Sequence, residues 1–412
     1  MKNIYSMDFS YTGMDNSLIN EFGDYCKRNK KKIHVSENAC VEYYKNMFES
    51  DEIARIIVTN EVAEFFEYKG FFDSYTPGNS EKILNINCTP SVKTYLFYAF
   101  KLAILEGEKR FEKTIYKDFS NISFFYRAGE MNYFFFIERI DELFEREFVE
   151  YRDLFNKNIV DYCRNNINNG KFVDIHLDDF YIRGKDNFNY KHFVHQNMLY
   201  GYDDKKEVFY CLGYDKKIGV STFEISYPEI INSFVKGMFF CFSGADYLYD
   251  LYPWPVTTYK TKSIADTEFD LEDFKKSIIE FINPRPAISK DNTYEVFGFD
   301  VYKIISEDIL NDNNYTDLRT FQLLEEHKKC VLNRIKYLSL NNSEELINEK
   351  TYENMVYKNF KMLKHYYLSF LIKENSNDYK IRYMKNRIKI KNKLMEFAEI
   401  EKDLLDNVKK IY

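Results

Sequence analysis

No Cys-x-x-Cys pair occurs in this chain of 412 residues, although it carries seven cysteines. Cys26, Cys40, Cys88, Cys163, Cys211, Cys241 and Cys330 are odd in number and widely scattered, which argues against a zinc ribbon or a thioredoxin-type dithiol. Reduced thiols and a cytoplasmic location are the expectation. Long apolar runs are missing too: nothing approaches the roughly 18 consecutive apolar residues of a membrane-spanning helix. The opening stretch MKNIYSMDFSYTGMDN lacks the apolar core of a secretory signal. Nor is there an excess of positive charge, and a net charge of −7 opposes bulk electrostatic binding to nucleic acid. Neither a membrane nor nucleic acid is therefore expected as a partner.

What is present is a globular composition, 45% hydrophobic and 30% charged. The length suits about two or three domains of roughly 100–200 residues each. Residues 1–80 read as a helical N-terminal region, with helices over 17–28, 36–49 and 51–69 and a solvated basic run at Lys27–Lys32. Ser74-Tyr-Thr-Pro-Gly-Asn-Ser80 reads as a linker. Residues 81–262 form the expected core, including two aromatic strands, Ile122–Tyr126 and Asn132–Ile137, and a helix over Tyr151–Asn168 closed by Gly170. A short helix is expected over Ser226–Val235. Residues 263–412 read as an almost purely helical bundle of long amphipathic helices. Its run Lys380–Lys393 reads as a solvated basic face, with a docking surface for an acidic carrier protein as the alternative.

The chemistry concentrates in Lys171–Asp215, which holds His176, His192 and His195 and two Gly-Tyr-Asp triplets. Phe172–Asp178 reads as a strand, and His195–Tyr202 with Glu207–Leu212 as a hairpin turning at Asp203-Asp204-Lys205-Lys206. A histidine that opens one strand and an aspartate just after the next, Asp215, can orient an imidazole for acid–base work. Such a base needs a nucleophile. Cys88 precedes Thr89-Pro90 and the apolar stretch Ser91–Glu106, which reads as a helix ended by Gly107. A cysteine at a helix N-terminus favours the thiolate. Cys40, four residues after the potential cap Ser36, is its rival.

The segment Asn169–Tyr181, NGKFVDIHLDDFY, and His192–Asp204, HFVHQNMLYGYDD, resemble the corresponding strands of the family of butirosin biosynthesis protein H. Ile225-Ser-Tyr-Pro-Glu-Ile, Glu326-His327-Lys328 and Arg334–Leu338 look like the same family, and the resemblance spans about residues 84–412. It implies an α+β fold with a papain-like cysteine-protease core, a nucleophile helix packed on an antiparallel sheet. In that family the nucleophile opens the first core helix upstream of the histidine, and the 107 residues from Cys88 to His195 fit. The implied activity is acyl transfer in nonribosomal-peptide-type biosynthesis. An acyl group would pass from a carrier-protein phosphopantetheine thioester through Cys88 to a small amine. His195 would be the base, Asp215 its orienting acid, and no cofactor or metal would be needed.

Two positions depart from the pattern. Lys82 stands where papain-type peptidases carry an oxyanion-hole glutamine, leaving Asn85 or Asn87 to supply the amide, and Phe172 replaces a proline. Other assignments stay open. Asp203 is the rival orienting acid, expected to face solvent from its turn. His192 is the rival base, expected on the opposite side of an extended strand from His195. Asp178 and Asp179 are either site-lining or structural acids. His192, His195 and Asp203 are the ligands of an alternative metal reading. A peptidase or thioesterase outcome, and a papain fold without chemistry, complete the alternatives.

Overall fold

A computed structural model describes residues 5–7, 33–35, 75–116, 118–127, 133–149, 151–154, 157–215, 219–242, 254–263, 271–290, 293–311, 318–341, 347–373 and 379–407. The expected helices before residue 70, the run Lys27–Lys32, and Cys26 and Cys40 lie outside them. The fold is α+β, mixing helices with antiparallel sheets. The chain separates into two compact units, Met1–Thr89 with Phe144–Lys262, and Pro90–Leu143 with Ser263–Tyr412.

In chain order the strands β1 (Tyr5–Met7), β2 (Ile33–Val35) and β3 (Glu81–Ile83) are followed by helix α1 (Leu96–Glu106). Strands β4 (Asn121–Arg127), β5 (Tyr133–Ile137) and β6 (Phe144–Val149) lead to α2 (Ile159–Asn168). Then come β7 (Phe172–Asp178), β8 (Val194–Asp203), β9 (Val208–Tyr214), β10 (Val220–Ser226), α3 (Tyr227–Phe242) and β11 (Val256–Thr261). The remainder is α4 (Leu271–Ile282), β12 (Ile288–Lys290), β13 (Thr293–Phe297), α5 (Val301–Asn311), α6 (Leu318–Asn341), α7 (Lys358–Lys373) and α8 (Tyr379–Asp406).

The first unit is built on a sheet of order β10-β9-β8-β7-β11-β6, antiparallel throughout, with β3 added beside β8. Strand period sorts the central strand β7 into two faces. Val173, Ile175 and Leu177 pack with Ile159, Val160, Cys163 and Ile167 of α2 and with Tyr227, Ile230, Ile231 and Phe234 of α3. Each buried aliphatic side chain there contributes about 1.5–3 kcal/mol. Asp174, His176 and Asp178 occupy the other face and are also buried. Helix α2 starts where Asn158 Oδ1 accepts the amides of Val160 and Asp161. It ends as expected at Asn169-Gly170, where the Lys171 amide returns to Asn166 O at 3.0 Å. The expected β7 is present over Phe172–Asp178, and the hairpin strands β8 and β9 are two residues and one residue longer than the sequence pattern suggests.

The stretch Tyr75–Ser80 is not a linker. Thr76 donates its amide and hydroxyl to Asp161, and Arg164 donates back to Thr76 O. Ser80 donates its amide and hydroxyl to Asp204, which also receives Arg164 and the Tyr227 hydroxyl. Against the upward push of burial, these hydrogen bonds hold the Asp204 carboxyl below its usual range. A Cβ added at Gly78 would overlap Asp204 Oδ2 and Arg164. Because Asp204 is fixed by four donors, Gly78→Ala is expected to cost about 1–3 kcal/mol in urea unfolding, as overpacking does; an unchanged midpoint would show that the strap yields freely.

The second unit differs from the expected helical bundle. Helices α4 to α8 share it with a four-stranded sheet of order β12-β13-β4-β5. The aromatic strands β4 and β5, expected in the 81–262 core, thus cluster with the C-terminal residues, through Phe125↔Glu295 and Phe124↔Val296. The late motifs are core elements here. Buried Arg334 donates to the carbonyls of Ile115, Tyr116 and Cys330.

The expected helix over Ser91–Glu106 begins late, at Leu96 with Tyr95 as its first boundary residue. The physical reason is competition for the amides of 91–94. Ser91 donates its amide and hydroxyl to the Glu106 carboxylate, and Lys93 and Thr94 donate amides, with the Thr94 hydroxyl, to buried Glu326. Carboxylates of distant residues replace the first helical turn, so Cys88 is not at a helix N-terminus.

Candidate active site

The site residues are all carried by the first unit, and β8 is their common support. β3 runs antiparallel to it through Glu81↔Asp203, Lys82↔Tyr202 and Ile83↔Gly201, and the Leu84 amide continues the ladder to Tyr200 O at 2.8 Å. A Cβ at Gly201 would lie 2.8 Å from Lys82 O, so the glycine of the first Gly-Tyr-Asp triplet is what lets β3 approach. Beyond Leu84 the chain leaves the ladder. Asn85 is exposed there, and Asn87 turns back on Thr89, its Oδ1 accepting the Thr89 amide at 3.0 Å and its Nδ2 donating to Thr89 O. This Asx turn frames Cys88.

Cys88 is an exposed free thiol, whereas Cys163, Cys211 and Cys330 are buried. Burial pushes the thiols of Cys163 and Cys211 well up and that of Cys330 up to about 11, so all three stay protonated. Cys88 lies near Tyr200, whose phenol is pushed up to about 12 by burial first and Cys88 next. Among the described residues Cys88 makes no hydrogen bond or ion pair with His195.

His195 is half-buried on β8, directly opposite Leu177 of β7. Its ring stacks on Phe193 at 5.2 Å and lies 5.5 Å from Tyr214. The β8–β9 register pairs Met198 with Leu212 and Leu199 with Cys211, and β9 ends at Tyr214, one residue before Asp215. Burial pushes the His195 imidazole down to about 4, with the Lys185 cation and then His176 adding to the effect. It is neutral at physiological pH.

Lys185 is a neighbour of the site that no sequence pattern singled out. It is 3% exposed. Its ammonium donates to Asn197 Oδ1 at 2.9 Å and to Tyr214 O, lies 3.8 Å from Asp179 and sits over the Phe223 ring. Burial lowers its pKa, opposed by Asp179 and Asp215 among others. Asp179 is pushed up to about 6 by burial, with Lys185 resisting. Lys185→Met removes the cation and is expected to raise the His195 pKa from about 4 toward 6.5. Titration of the imidazole C–H resonances by NMR measures this directly, and an unmoved midpoint would assign the depression to burial alone.

His192 and Asp178 form a close acid–imidazole pair, Nδ1 to Oδ2 at 2.6 Å. Both are buried, and Phe180 stacks on the ring at 4.3 Å. The same carboxylate accepts the amides of Phe180 and Phe193 through Oδ1, and the Asp179 amide bonds to Phe193 O. Asp178 therefore staples both ends of the excursion between β7 and β8, and His192 is part of the staple that delivers His195 to its strand. Asp203, expected to face solvent, is 8% exposed instead. Its Oδ1 accepts the amides of Lys205 and Lys206, closing the hairpin. Turn amides and the staple occupy two of the three groups in the metal reading, and no cluster of three metal-ligating side chains occurs among the described residues. Among them no helix is long and apolar enough to cross a membrane.

No protein-family model matches this chain, and no curated protein matches it either.

Proposed function

We propose that this chain is a cysteine-dependent acyltransferase with a papain-like catalytic core, forming an amide from a carrier-bound thioester and an amine. One observation supports the reading: the exposed thiol of Cys88 and the neutral imidazole of His195 belong to one compact unit, with Cys88 near Tyr200 of β8, the strand that also carries His195. The resemblance to the family of butirosin biosynthesis protein H supplies the reaction class.

In the proposed cycle His195 takes the Cys88 proton, and the sulfur attacks the thioester carbonyl. The Cys–acyl bond forms as the phosphopantetheine thiolate leaves, taking that proton from His195. An amine then attacks the acyl-enzyme, gives its proton to His195, and Cys88 departs as thiolate. Asp215 would accept the other ring N–H and hold the tautomer. Long or absent hydrogen bonds between base and nucleophile are ordinary before substrate binds. If water replaces the amine, the same acyl-enzyme gives a thioesterase or peptidase outcome.

The test is intact mass. Incubation with an acyl-pantetheine thioester should add one acyl group to the wild-type chain, and adding amines should remove it as an amide. A second reading, a papain-like scaffold without chemistry, is favoured by the late start of α1, which leaves Cys88 without the helix N-terminus that stabilises a thiolate. Alkylation of Cys88 by iodoacetamide at an ordinary thiol rate, indifferent to His195→Ala, would select that scaffold.

A further inference from the structure

Charge is strongly segregated in the second unit. Across Lys358–Lys373 and Tyr379–Met395, which form α7 and the first half of α8, there are eleven lysines and arginines and no aspartate or glutamate. The chain as a whole carries −7. The two helices pack on one another, with Phe360, Leu363 and Tyr367 of α7 and Ile390, Leu394 and Phe397 of α8 buried. Cations stand among the outward residues. Lys361, Lys385 and Lys389 are exposed, and none of them pairs with a carboxylate among the described residues. Lys385 and Lys389 stand four residues apart on one helix, a like-charge spacing that destabilises the helix when nothing opposes it. Apolar groups lie among them: Met355, just before α7, Met362 two turns on, and Ile388 of α8 are 43%, 48% and 47% exposed.

We infer that the α7–α8 face binds a protein partner that presents an acidic amphipathic helix. The lysines match its carboxylates, and the two methionines and Ile388 match its apolar edge, methionine being suited to a surface that must adapt. Nucleic acid fits less well. The net negative charge of the chain opposes phosphate backbones at long range, and the Tyr366 ring has Lys389 over it at 5.2 Å rather than standing open for a base. This inference deepens the proposed function, resting on the reading of the acyl donor as a carrier protein, whose surface would be acidic and helical.

The test uses the full chain and a phosphopantetheinylated acyl carrier protein as the probe, with binding followed by calorimetry at low and moderate salt. Wild type should bind with an affinity that falls as salt rises, and the triple variant Lys361→Glu, Lys385→Glu, Lys389→Glu should bind at least ten-fold more weakly. Its thermal midpoint and its acylation by free acyl-pantetheine should equal wild type. No binding by wild type, binding unaffected by the charge reversal, or preferential binding of a duplex oligonucleotide would each overturn the inference. Lysine-dependent carrier binding without any acylation of Cys88 would instead keep the docking face and remove the proposed chemistry.

Discussion

Cys88→Ala is expected to abolish the mass increase from an acyl-pantetheine thioester, with turnover lowered on the order of 10⁴-fold or more, as loss of a covalent nucleophile does. His195→Ala should lower acylation by about 10²–10⁴-fold, the range for a general base, while leaving Cys88 alkylatable at high pH where the thiolate forms unaided. His192→Ala separates the two histidines. Its imidazole is bonded to Asp178 in the staple between β7 and β8, so its loss should appear in thermal stability before it appears in the chemical step. Equal acylation by wild type and Cys88→Ala would end the nucleophile assignment. A larger chemical loss for His192→Ala than for His195→Ala, at unchanged stability, would transfer the base to the Asp178–His192 pair.

Glu401→Ala is expected to destabilise the second unit by about 3–5 kcal/mol, the cost of stranding a buried charge. Lys328 and Glu401 are fully buried, with Nζ 2.7 Å from Oε2. Glu401 also accepts the hydroxyls of Tyr302 and Tyr352, and Lys328 donates to His327 Nδ1 at 2.7 Å. His327 in turn donates from Nε2 to Ser120 O, a tautomer consistent with an imidazole that burial and the Lys328 cation hold well below its ordinary pKa. The ammonium lies within about 5 Å of the Phe281, Tyr302 and Phe360 rings, close enough for cation–π attraction. Burial lowers Lys328 to about 8, with Glu401 pulling upward, so the lysine remains charged at neutral pH and depends on its partner. Replacing both residues, Lys328→Met with Glu401→Leu, should recover most of the loss because no lone charge is left. Far-UV circular dichroism in urea is the measurement, since the one tryptophan, Trp254, reports on the other unit. A cost below about 1 kcal/mol for Glu401→Ala, typical of an exposed pair, would mean that water reaches the lysine.

The Glu326-His327-Lys328 motif that contributed to the family resemblance is thereby explained by structure rather than catalysis. Glu326 takes the amides of Lys93 and Thr94, and His327 and Lys328 tie the core through Ser120 and Glu401. Arg334 does the same for the carbonyls of Ile115 and Tyr116. Apart from Lys328 with Glu401, these contacts join positions more than 200 residues apart in sequence, which no local pattern announces.

Local physics made much of the site legible. Alternation in Phe172–Asp178, the Asp203–Lys206 turn and the Asn169-Gly170 helix end are short-range signals, and β7, the β8–β9 hairpin and the close of α2 follow them. The cysteine expectation was half legible. Cys88 is exposed where Cys163, Cys211 and Cys330 are buried, but the helix meant to activate it starts at Leu96 because Glu106 and Glu326 capture the amides before it. Lys185 was invisible because a lysine in a turn normally reaches water, and only the surrounding Asn197, Tyr214 and Asp179 make it a buried neighbour of His195.

The sequence by itself determined the α+β composition, the strand–turn–strand frame that carries His195, and the run of cations on α7 and α8. These depend on period, turn chemistry and composition, which act within a few residues. Tertiary structure alone decided that β4 and β5 join β13 in the second unit, that residues 75–80 strap onto Asp204, and that His192 is a staple while His195 stands beside Lys185. Each of those outcomes turns on which distant group satisfies a buried amide or charge. That competition is settled only when the whole chain has packed.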